Sequence, residues 1–339
     1  MRVIHVLFCF FGVVASCLFI YVLLHRSSSN LHINLRLSLG SLTFSALIAC
    51  AQLLFTAIYG FIQTVTMHDR CNAIMDSVSC GFLRWPILLA IYSNLMGMLC
   101  IAIERTIATV RYKTYEVHGS RCVGVLLITM QWVASFAISI VSLSLRHSDG
   151  FLHYCTVYVS HPKSAVLSLS TMCIIELIVL VYFGSLLNIN KRKQVNEFVN
   201  NALHSLTERY QLLENVRMMQ VLIPTVTVHA VLSLLGLGPL LAFALIHRQM
   251  TPSSVVHFAP YSEFVLLVVP IYGCIFPLVA AGWNVQMRNA MRGALPFLFE
   301  PLPQAPQHMD PPLLTMRPSK DVERESDKHF NLLSKMWEK

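Results

Sequence analysis

The chain has 339 residues, of which 55% are hydrophobic and only 12% are charged, and its net charge is +8 at neutral pH. An ordinary soluble domain carries about 25% charged residues, so this composition excludes one and predicts a membrane protein. The positive charge does not indicate nucleic-acid binding, because the basic residues fall in short stretches between apolar segments, mostly on one predicted side of the membrane.

Seven windows of 20 or more uncharged or nearly uncharged residues follow one another along the chain. Each is long enough to cross about 30 Å of hydrocarbon at about 1.5 Å per helical residue. They lie at 3–24, 37–62, 85–108, 122–145, 164–188, 218–246 and 259–283. The first window is longer than the apolar core of a signal peptide, which usually has about 7 to 15 residues, so it is counted as a helix. The sequence therefore predicts an all-α membrane protein with a seven-helix bundle.

An odd number of spans places the two termini on opposite sides of the membrane, and lysine and arginine mark the cytoplasmic side. With the N-terminus outside, nineteen of the 25 basic residues face the cytoplasm and six face outwards. This bias predicts an outer N-terminus and a cytoplasmic C-terminus in a multi-pass protein of the lipid bilayer.

Three of the ten cysteines lie in segments that are predicted to face the oxidising outer side: Cys71, Cys80 and Cys155. Cys80 lies just before the third span and Cys155 lies in the loop after the fourth. A bond between them would tie this loop to the outer end of the third helix. The role of Cys71 stays open, because it competes for either partner.

The segment between the fifth and sixth spans has a helical repeat of apolar residues. These are Val195, Phe198, Val199, Ala202, Leu203 and Leu206, at i, i+3, i+4, i+7, i+8 and i+11. The repeat predicts that the fifth and sixth helices continue into the cytoplasm with an apolar stripe flanked by basic residues. The stripe either packs the two extensions together or stays available to a partner.

The residues after the seventh span predict a short helix and then a tail. Arg288 and Arg292 lie one turn apart on one face of a helix that would run along the membrane. Seven prolines between Pro296 and Pro318 predict disorder. The expected organisation is a membrane domain over 1–295 and a largely disordered cytoplasmic tail over 296–339.

Polar residues inside the spans are the candidates for ligand contact. Glu176 lies near the middle of the fifth span, where an acid is costly and indicates a functional site. Ser93 and Asn94 lie in the upper half of the third span, and Tyr261 and Glu263 lie in the outer part of the seventh. Each of them has an alternative role as an interhelical hydrogen-bond partner.

Enzyme and cofactor classes find no support in the sequence. It has no H-E-x-x-H, no G-x-S-x-G, no paired intramembrane aspartates and no cluster of histidines. A retinal protein needs a lysine in the last helix, and residues 259–283 contain none. His229 is alone in the sixth span and is interpreted as a structural histidine. We expect no catalysis, no cofactor and no bound metal.

Glu104 and Arg105 stand together at the inner end of the third span. At this depth Arg105 can reach interfacial water and Glu104 can neutralise it locally, at a lower cost than at the bilayer centre. By this reasoning alone, the pair fits an ordinary membrane anchor.

Seven helices, an outer N-terminus and an acid followed by arginine at the inner end of helix three resemble G-protein-coupled receptors. Cys80 stands 25 residues before Arg105, a separation that is similar to that between the disulfide cysteine and the arginine of rhodopsin-like receptors. A closer resemblance is to the nematode serpentine chemoreceptors, the superfamily with the Sra, Srab, Srb and Sre classes. It rests on LHINLRLSL at 31–39, ERTIATVRYKTYE at 104–116 and LTERYQLLENVR at 206–217, and it covers nearly the whole chain, nearest the Srab or Sre classes.

The resemblance implies a chemosensory receptor of the plasma membrane, in sensory neuron cilia, that binds a small-molecule cue in its bundle and activates a heterotrimeric G protein. It implies that Glu104 holds Arg105 at rest, and that outward movement of the sixth helix frees Arg105 for the G-protein α subunit. It also pairs Cys80 with Cys155. The implied coupling residues are Glu104, Arg105, Arg111, Lys113, Arg209 and Arg217.

Two alternatives stay open beside this prediction. One is a seven-helix ligand-gated channel, and the other is a receptor without a chemosensory role. Basic amphipathic extensions on helices five and six favour a receptor, because a channel does not need them.

Overall fold

In a computed structural model the chain folds as seven long helices followed by a short one. The structure describes residues 2–26, 32–66, 75–111, 121–144, 151–152, 162–199, 206–246, 258, 261–283 and 285–294. The helices are α1 (Arg2–Tyr21), α2 (Ile33–Thr66), α3 (Ser77–Val110), α4 (Arg121–Ser144), α5 (Pro162–Val199), α6 (Leu206–Ile246), α7 (Val268–Gly282) and α8 (Val285–Ala294). A π-helical turn, Val22–Arg26, follows α1, and helical residues 261–266 precede α7.

The predicted number of membrane spans is confirmed. Within the described part of the chain, seven helices are long and apolar enough to cross a membrane. They are Val3–Leu24, Ile33–Gln63, Val78–Val110, Cys122–Ser144, Ala165–Asn196, Leu212–Ile246 and Tyr261–Gly282. The first has the predicted bounds, whereas several others run further, because the backbone hydrogen bonds of a helix continue through polar residues as well as apolar ones.

The side chains are distributed as expected for a protein that is surrounded by lipid. Large aliphatic residues point outwards, as at Leu167 and Val181 of α5, which are 70% and 69% exposed. Polar residues lie inside, as at Ser93, Gln131 and Ser135, which are almost completely buried. Because lipid tails are as apolar as leucine, helices in a membrane associate through close packing and hydrogen bonds rather than through the hydrophobic effect.

Hydrogen bonds join α4 to α2 and α3. The Gln131 amide nitrogen donates to the hydroxyl and to the backbone carbonyl of Ser93, both at 3.0 Å. Ser41 of α2 donates to the Gln131 carbonyl oxygen at 3.0 Å, and the Trp132 indole nitrogen donates to the Ser41 hydroxyl at 3.0 Å. These bonds fix the rotation of α4 against its two neighbours.

Small residues bring α1, α2 and α7 close together around Cys50. A β-carbon added at Gly12 of α1 would lie 2.8 Å from the Cys50 sulfur, and one added at Gly273 of α7 would lie 2.5 Å from it. Both distances are shorter than van der Waals contact. The three helices therefore pack at a separation that only small side chains at these positions allow.

The helices on either side of the 200–205 segment extend as the apolar repeat predicts. α5 runs to Val199 and α6 begins at Leu206, while residues 200–205 lie outside the described part of the chain. Val195 is 60% exposed, so α6 does not cover the stripe at this position. α8 matches the predicted short helix, and its Met287 and Met291 are buried.

The predicted domain boundary remains a prediction. The described residues up to Ala294 belong to one compact unit. The predicted disordered tail, 296–339, lies outside the described residues.

A short strand pair precedes Cys80. β1 (Met75–Asp76) pairs antiparallel with β2 (Phe151–Leu152), and Asp76 stands opposite Phe151. Cys80 is buried and disulfide-bonded, and its partner lies outside the described residues. The strand pair joins the residues before α3 to the loop that contains Cys155, and the Cys80–Cys155 bond stays a prediction.

We expect Gly273→Ala to destabilise the bundle, because the added methyl group meets the Cys50 sulfur. Overpacking of this kind costs about 1 to 3 kcal/mol. The measurement is the thermal unfolding midpoint of the purified protein. Gly184→Ala is the matched control, since a β-carbon at Gly184 meets nothing within 4 Å. An equal midpoint for the two variants would contradict the close packing of α1, α2 and α7.

We expect peptide mapping of the non-reduced protein to recover Cys80 linked to Cys155. The physical reason is the β1–β2 pairing, which holds Phe151–Leu152, in the same loop as Cys155, beside the residues that precede α3 and Cys80. Cys71→Ser is the control variant and should leave the linked peptide unchanged. A Cys71–Cys80 peptide in the unmodified protein would refute the assignment.

Candidate functional site

A cavity of about 100 Å³ lies between α2, α3, α5, α6 and the α7 span. Most of its lining is aliphatic, for example Leu95, Leu237 and Val269. Its polar side chains are Asn94, Glu176, His229, Ser233 and Tyr272. A mostly apolar pocket with a few convergent polar groups is the usual form of a small-molecule site.

The central polar contact of the cavity joins α5 to α6. The Nε2 atom of His229 lies 2.9 Å from Oε1 of Glu176, and both residues are at most 3% exposed. The His229 ring packs edge-on against the Tyr272 ring of α7, with 5.1 Å between the ring centroids. Three buried polar atoms of these residues have no hydrogen-bond partner among the described residues: Glu176 Oε2, His229 Nδ1 and the Tyr272 hydroxyl.

Asn94 and Ser93 have different surroundings, although they are neighbours in α3. Asn94 lines the cavity, but its carbonyl oxygen accepts a 2.9 Å hydrogen bond from Ser45 and its amide donates to the Ala90 carbonyl. Ser93 accepts from Gln131 of α4 and is not among the described residues that line the cavity. Interhelical bonding, the alternative role for both, is therefore present at both positions.

Tyr261 and Glu263 lie away from the cavity, near the start of the α7 span. The Tyr261 ring stacks on Phe243 of α6, with 5.6 Å between centroids. Glu263 Oε1 lies 3.5 Å from Arg84 Nη2 of α3. The cavity thus brings together Glu176 and Asn94 of the five predicted ligand residues, and the structure gives Ser93, Tyr261 and Glu263 contacts elsewhere.

Glu104 and Arg105 form a buried ion pair at the far end of α3, which we call the Arg105 end of the bundle. The Arg105 Nε and Nη2 atoms donate to the two carboxylate oxygens of Glu104. The residues are only 1% and 2% exposed. This differs from the membrane-anchor interpretation, in which the Arg105 guanidinium reaches interfacial water.

The α3 turn that follows Arg105 is hydrogen-bonded to α5. Asn190 donates to the Thr109 hydroxyl at 2.9 Å, and Lys193 donates to the Thr109 carbonyl at 3.3 Å. The hydroxyls of Thr106 and Tyr182 lie 2.6 Å apart. Several polar contacts therefore hold α3 and α5 together at this end.

A side-chain hydrogen bond also joins the same turn to α6. The Asn215 amide donates to the backbone carbonyl of Ala108 at 3.1 Å. It is a neutral bond to a partly buried group, and such bonds contribute about 0.5 to 1.5 kcal/mol each.

The structure describes only some of the other predicted basic coupling residues. Arg111, at the end of α3, and Arg217, on α6, are exposed at the Arg105 end. Arg209 belongs to α6, and its side chain is not described. Lys113 lies outside the described residues. In the described part of the chain, no group of three histidine, cysteine or acidic side chains is arranged to hold a metal ion.

Sequence reasoning did not assign three polar residues to the cavity: His229, Ser233 and Tyr272. His229 had been interpreted as a lone structural histidine, but it lines the cavity and contacts Glu176. Tyr272 was not singled out at all. The sequence does contain one signal for the Glu176–His229 contact, which is their similar depth in the membrane. Both residues lie deep inside consecutive spans, and two titratable groups at similar depth can pair.

The fold and these two sites define the class of the protein: a seven-helix membrane receptor, with a cavity inside the bundle and a buried acid–arginine pair at one end of α3. Comparison with known sequences gives the family. A family model described as "Serpentine type 7TM GPCR receptor class ab chemoreceptor" matches residues 1–295. The chain belongs to this chemoreceptor family, which confirms the predicted resemblance.

The curated relatives agree with this family. The chain is 53% identical over 345 residues to Serpentine receptor class alpha/beta-14 of Caenorhabditis elegans, with 100% of the chain and 89% of the relative covered. It is 27% identical over 212 residues to Serpentine receptor class epsilon-33 of the same organism, with 62% of the chain and 52% of the relative covered. The epsilon receptors are thus more distant, so the class ab alternative is the one supported.

Proposed function

We propose that this protein is a chemosensory receptor that binds a small-molecule cue in the bundle cavity and activates a heterotrimeric G protein at the Arg105 end. The observation that carries the proposal is the buried Glu104–Arg105 pair beside the extended α5 and α6 helices. Family membership supports a chemosensory role. The protein acts in the plasma membrane, and sensory neuron cilia are its proposed location.

The Glu104–Arg105 pair provides a resting state. A buried arginine that loses its acidic partner is strongly destabilised, by about 3 to 5 kcal/mol, whereas a paired one is tolerated. Glu104 therefore favours the arrangement in which Arg105 stays inside the bundle. A state that opens the Arg105 end releases the guanidinium to water or to a partner protein.

The contacts around α3 suggest which helix moves. Asn190, Lys193 and Tyr182 of α5 all contact the Thr106–Thr109 turn, so α3 and α5 are expected to move together. In the described part of the chain, a side-chain hydrogen bond from α6 to this turn is the one that Asn215 donates to the Ala108 backbone carbonyl. Outward movement of α6 breaks this weak bond and uncovers Arg105.

A ligand shifts this equilibrium only if it binds the open state better than the closed state. The position of the cavity allows such a difference in affinity, because α6 lines the cavity through His229. The same helix also carries Asn215 at the Arg105 end. The same helix, α6, therefore touches both the cavity and the α3 turn. Exposed Arg111 and Arg217, with Lys113 and Arg209, would add basic contacts to the G protein.

We expect an epitope at the N-terminus to be accessible on intact cells and an epitope after Lys339 to be accessible only after permeabilisation. The reason is the bias of nineteen among 25 basic residues towards one side. Immunofluorescence with and without detergent makes the measurement. Reversed accessibility would contradict the receptor orientation, and it would favour a channel of inverted topology.

We expect Glu104→Gln to raise basal G-protein signalling about fivefold or more, within the range of typical coupling energies. The amide keeps the size of the side chain but removes the negative charge of Glu104 from beside the buried Arg105 guanidinium. We expect Arg105→Ala to abolish coupling at a near-normal surface level. Second-messenger output and surface abundance are measured in the same cells.

Arg84→Ala is the control for the loss of an arginine, because Arg84 pairs with Glu263 at the opposite end of α3. Arg84→Ala should leave coupling intact once second-messenger output is corrected for the surface abundance of the receptor. Normal coupling by Arg105→Ala at a normal surface level would show that Arg105 has no part in signalling. Loss of surface protein with unchanged output per receptor would support the anchor interpretation instead.

A further inference from the structure

We propose that the cavity binds a small primary alkylamine, whose ammonium group is held by Glu176 and Tyr272, with His229 holding the Glu176 carboxylate in place. The inference rests on the proposed function, since it names the chemical class of the ligand for that cavity. It is carried by the three buried polar atoms without partners and by the charge and size of the space beside them.

The three atoms belong to side chains that contact one another. Glu176 Oε1 is bonded to His229 Nε2 at 2.9 Å, and the His229 ring contacts the Tyr272 ring. The remaining polar atoms, Glu176 Oε2, His229 Nδ1 and the Tyr272 hydroxyl, are buried and make no hydrogen bond within the part of the chain that the structure describes. Buried polar atoms are nearly always satisfied in native proteins, so a set of three on one cavity indicates a missing partner.

The hydrogen-bonding roles of these atoms match an ammonium group. When the Glu176 carboxylate is ionised, its oxygens can only accept, and His229 donates to it through Nε2–H. The His229 Nδ1 atom is then an acceptor as well, and the Tyr272 hydroxyl oxygen can accept. Nδ1 lies on the far side of the ring from the Glu176 carboxylate. A primary ammonium has three N–H donors, and it can donate to Glu176 Oε2 and to the Tyr272 hydroxyl while His229 holds Oε1. A carboxylate ligand offers none and would also be repelled by Glu176.

The charge of the cavity favours a cation. Among the described lining residues there is one carboxylate, Glu176, and no lysine or arginine. A carboxylate in apolar surroundings is unfavourable unless an opposite charge or strong donors compensate it. His229 donates one hydrogen bond to the first oxygen, and the second oxygen is available for a charged donor.

The size of the cavity limits the rest of the ligand. A cavity of about 150 Å³ lined by aliphatic and aromatic groups holds benzene, so about 100 Å³ suits a ligand of roughly five or six non-hydrogen atoms. Leu237, Leu240, Val265 and Val269 provide an aliphatic surface for a short branched alkyl chain. An alkylamine bound in this way touches α5, α6 and α7 at once, including the helix that carries Asn215.

The test measures binding of isobutylamine to the purified full-length protein in lipid nanodiscs at pH 7. An alkylammonium resembles the lysine side chain, whose pKa is about 10.4, so the probe is charged. Isobutanol and isopentane are probes of similar size without the charge. The apparent affinity is taken from the dependence of the unfolding temperature on probe concentration. We expect isobutylamine to bind at least about tenfold more tightly than either neutral probe, as hydrogen bonds to charged groups allow.

Two variants test the roles of Glu176 and Tyr272. Glu176→Gln should weaken isobutylamine binding about 10- to 100-fold, because it removes the negative charge and turns one acceptor into a donor. Tyr272→Phe should weaken it severalfold while keeping the ring contact with His229, and it serves as the second test if the Glu176 variant does not fold. Glu214→Gln on α6 and Tyr59→Phe on α2 are the matched controls, since neither residue lines the cavity.

Equal binding of isobutylamine and isobutanol would overturn the proposal, as would an unchanged affinity in Glu176→Gln or in Tyr272→Phe. The outcome is separable from the test of coupling. If isobutylamine does not bind but the Glu104 and Arg105 variants behave as expected, the ligand class is wrong and the receptor function stands. If isobutylamine binds in the expected pattern but Arg105→Ala couples normally, the cavity assignment stands and the coupling mechanism fails.

Discussion

Polar groups inside this bundle must find partners within the protein, because the surrounding hydrocarbon supplies none. This constraint determines how the helices pack. Gln131 satisfies both ends of its amide by bonding to Ser93 and Ser41 on two other helices, and Ser45 bonds to Asn94 across the α2–α3 contact. Interhelical hydrogen bonds of this type contribute about 0.6 kcal/mol each on average, so it is their number and direction that fix the arrangement of the helices.

The same constraint distinguishes the two candidate sites. At the Arg105 end the charges of Glu104 and Arg105 satisfy each other, so the ion pair keeps its arrangement unless one partner is removed or the helices separate. In the cavity Glu176 and His229 satisfy each other only in part, and one atom of each is left over. A buried pair whose polar atoms are all hydrogen-bonded stabilises one conformation. A buried pair with an unbonded polar atom can instead bind a ligand that supplies the missing hydrogen bond.

The sequence predicts the helices better than it predicts what their side chains contact. Apolar length alone locates all seven spans, and the apolar repeat around Val195 predicts that α5 continues beyond its span. Contacts between helices depend on helix rotation and relative depth, which a single sequence does not specify. Ser93 and Asn94 are adjacent and chemically similar in the sequence, yet a rotation of about 100° along the helix directs one to α4 and the other to the cavity. The contact between His229 and Glu176 was not predicted for the same reason, because the two residues are 53 positions apart in the chain.

The packing of Gly12 and Gly273 against Cys50 has a consequence for how related receptors diverge. The sulfur of Cys50 is the atom that an added β-carbon at either glycine would meet first. Alanine at either glycine position therefore requires a smaller residue at position 50, where alanine or glycine would leave room for the methyl group. Residues at these three positions, from the first, second and last spans, should covary among relatives, with their summed volume conserved rather than the identity of any one of them.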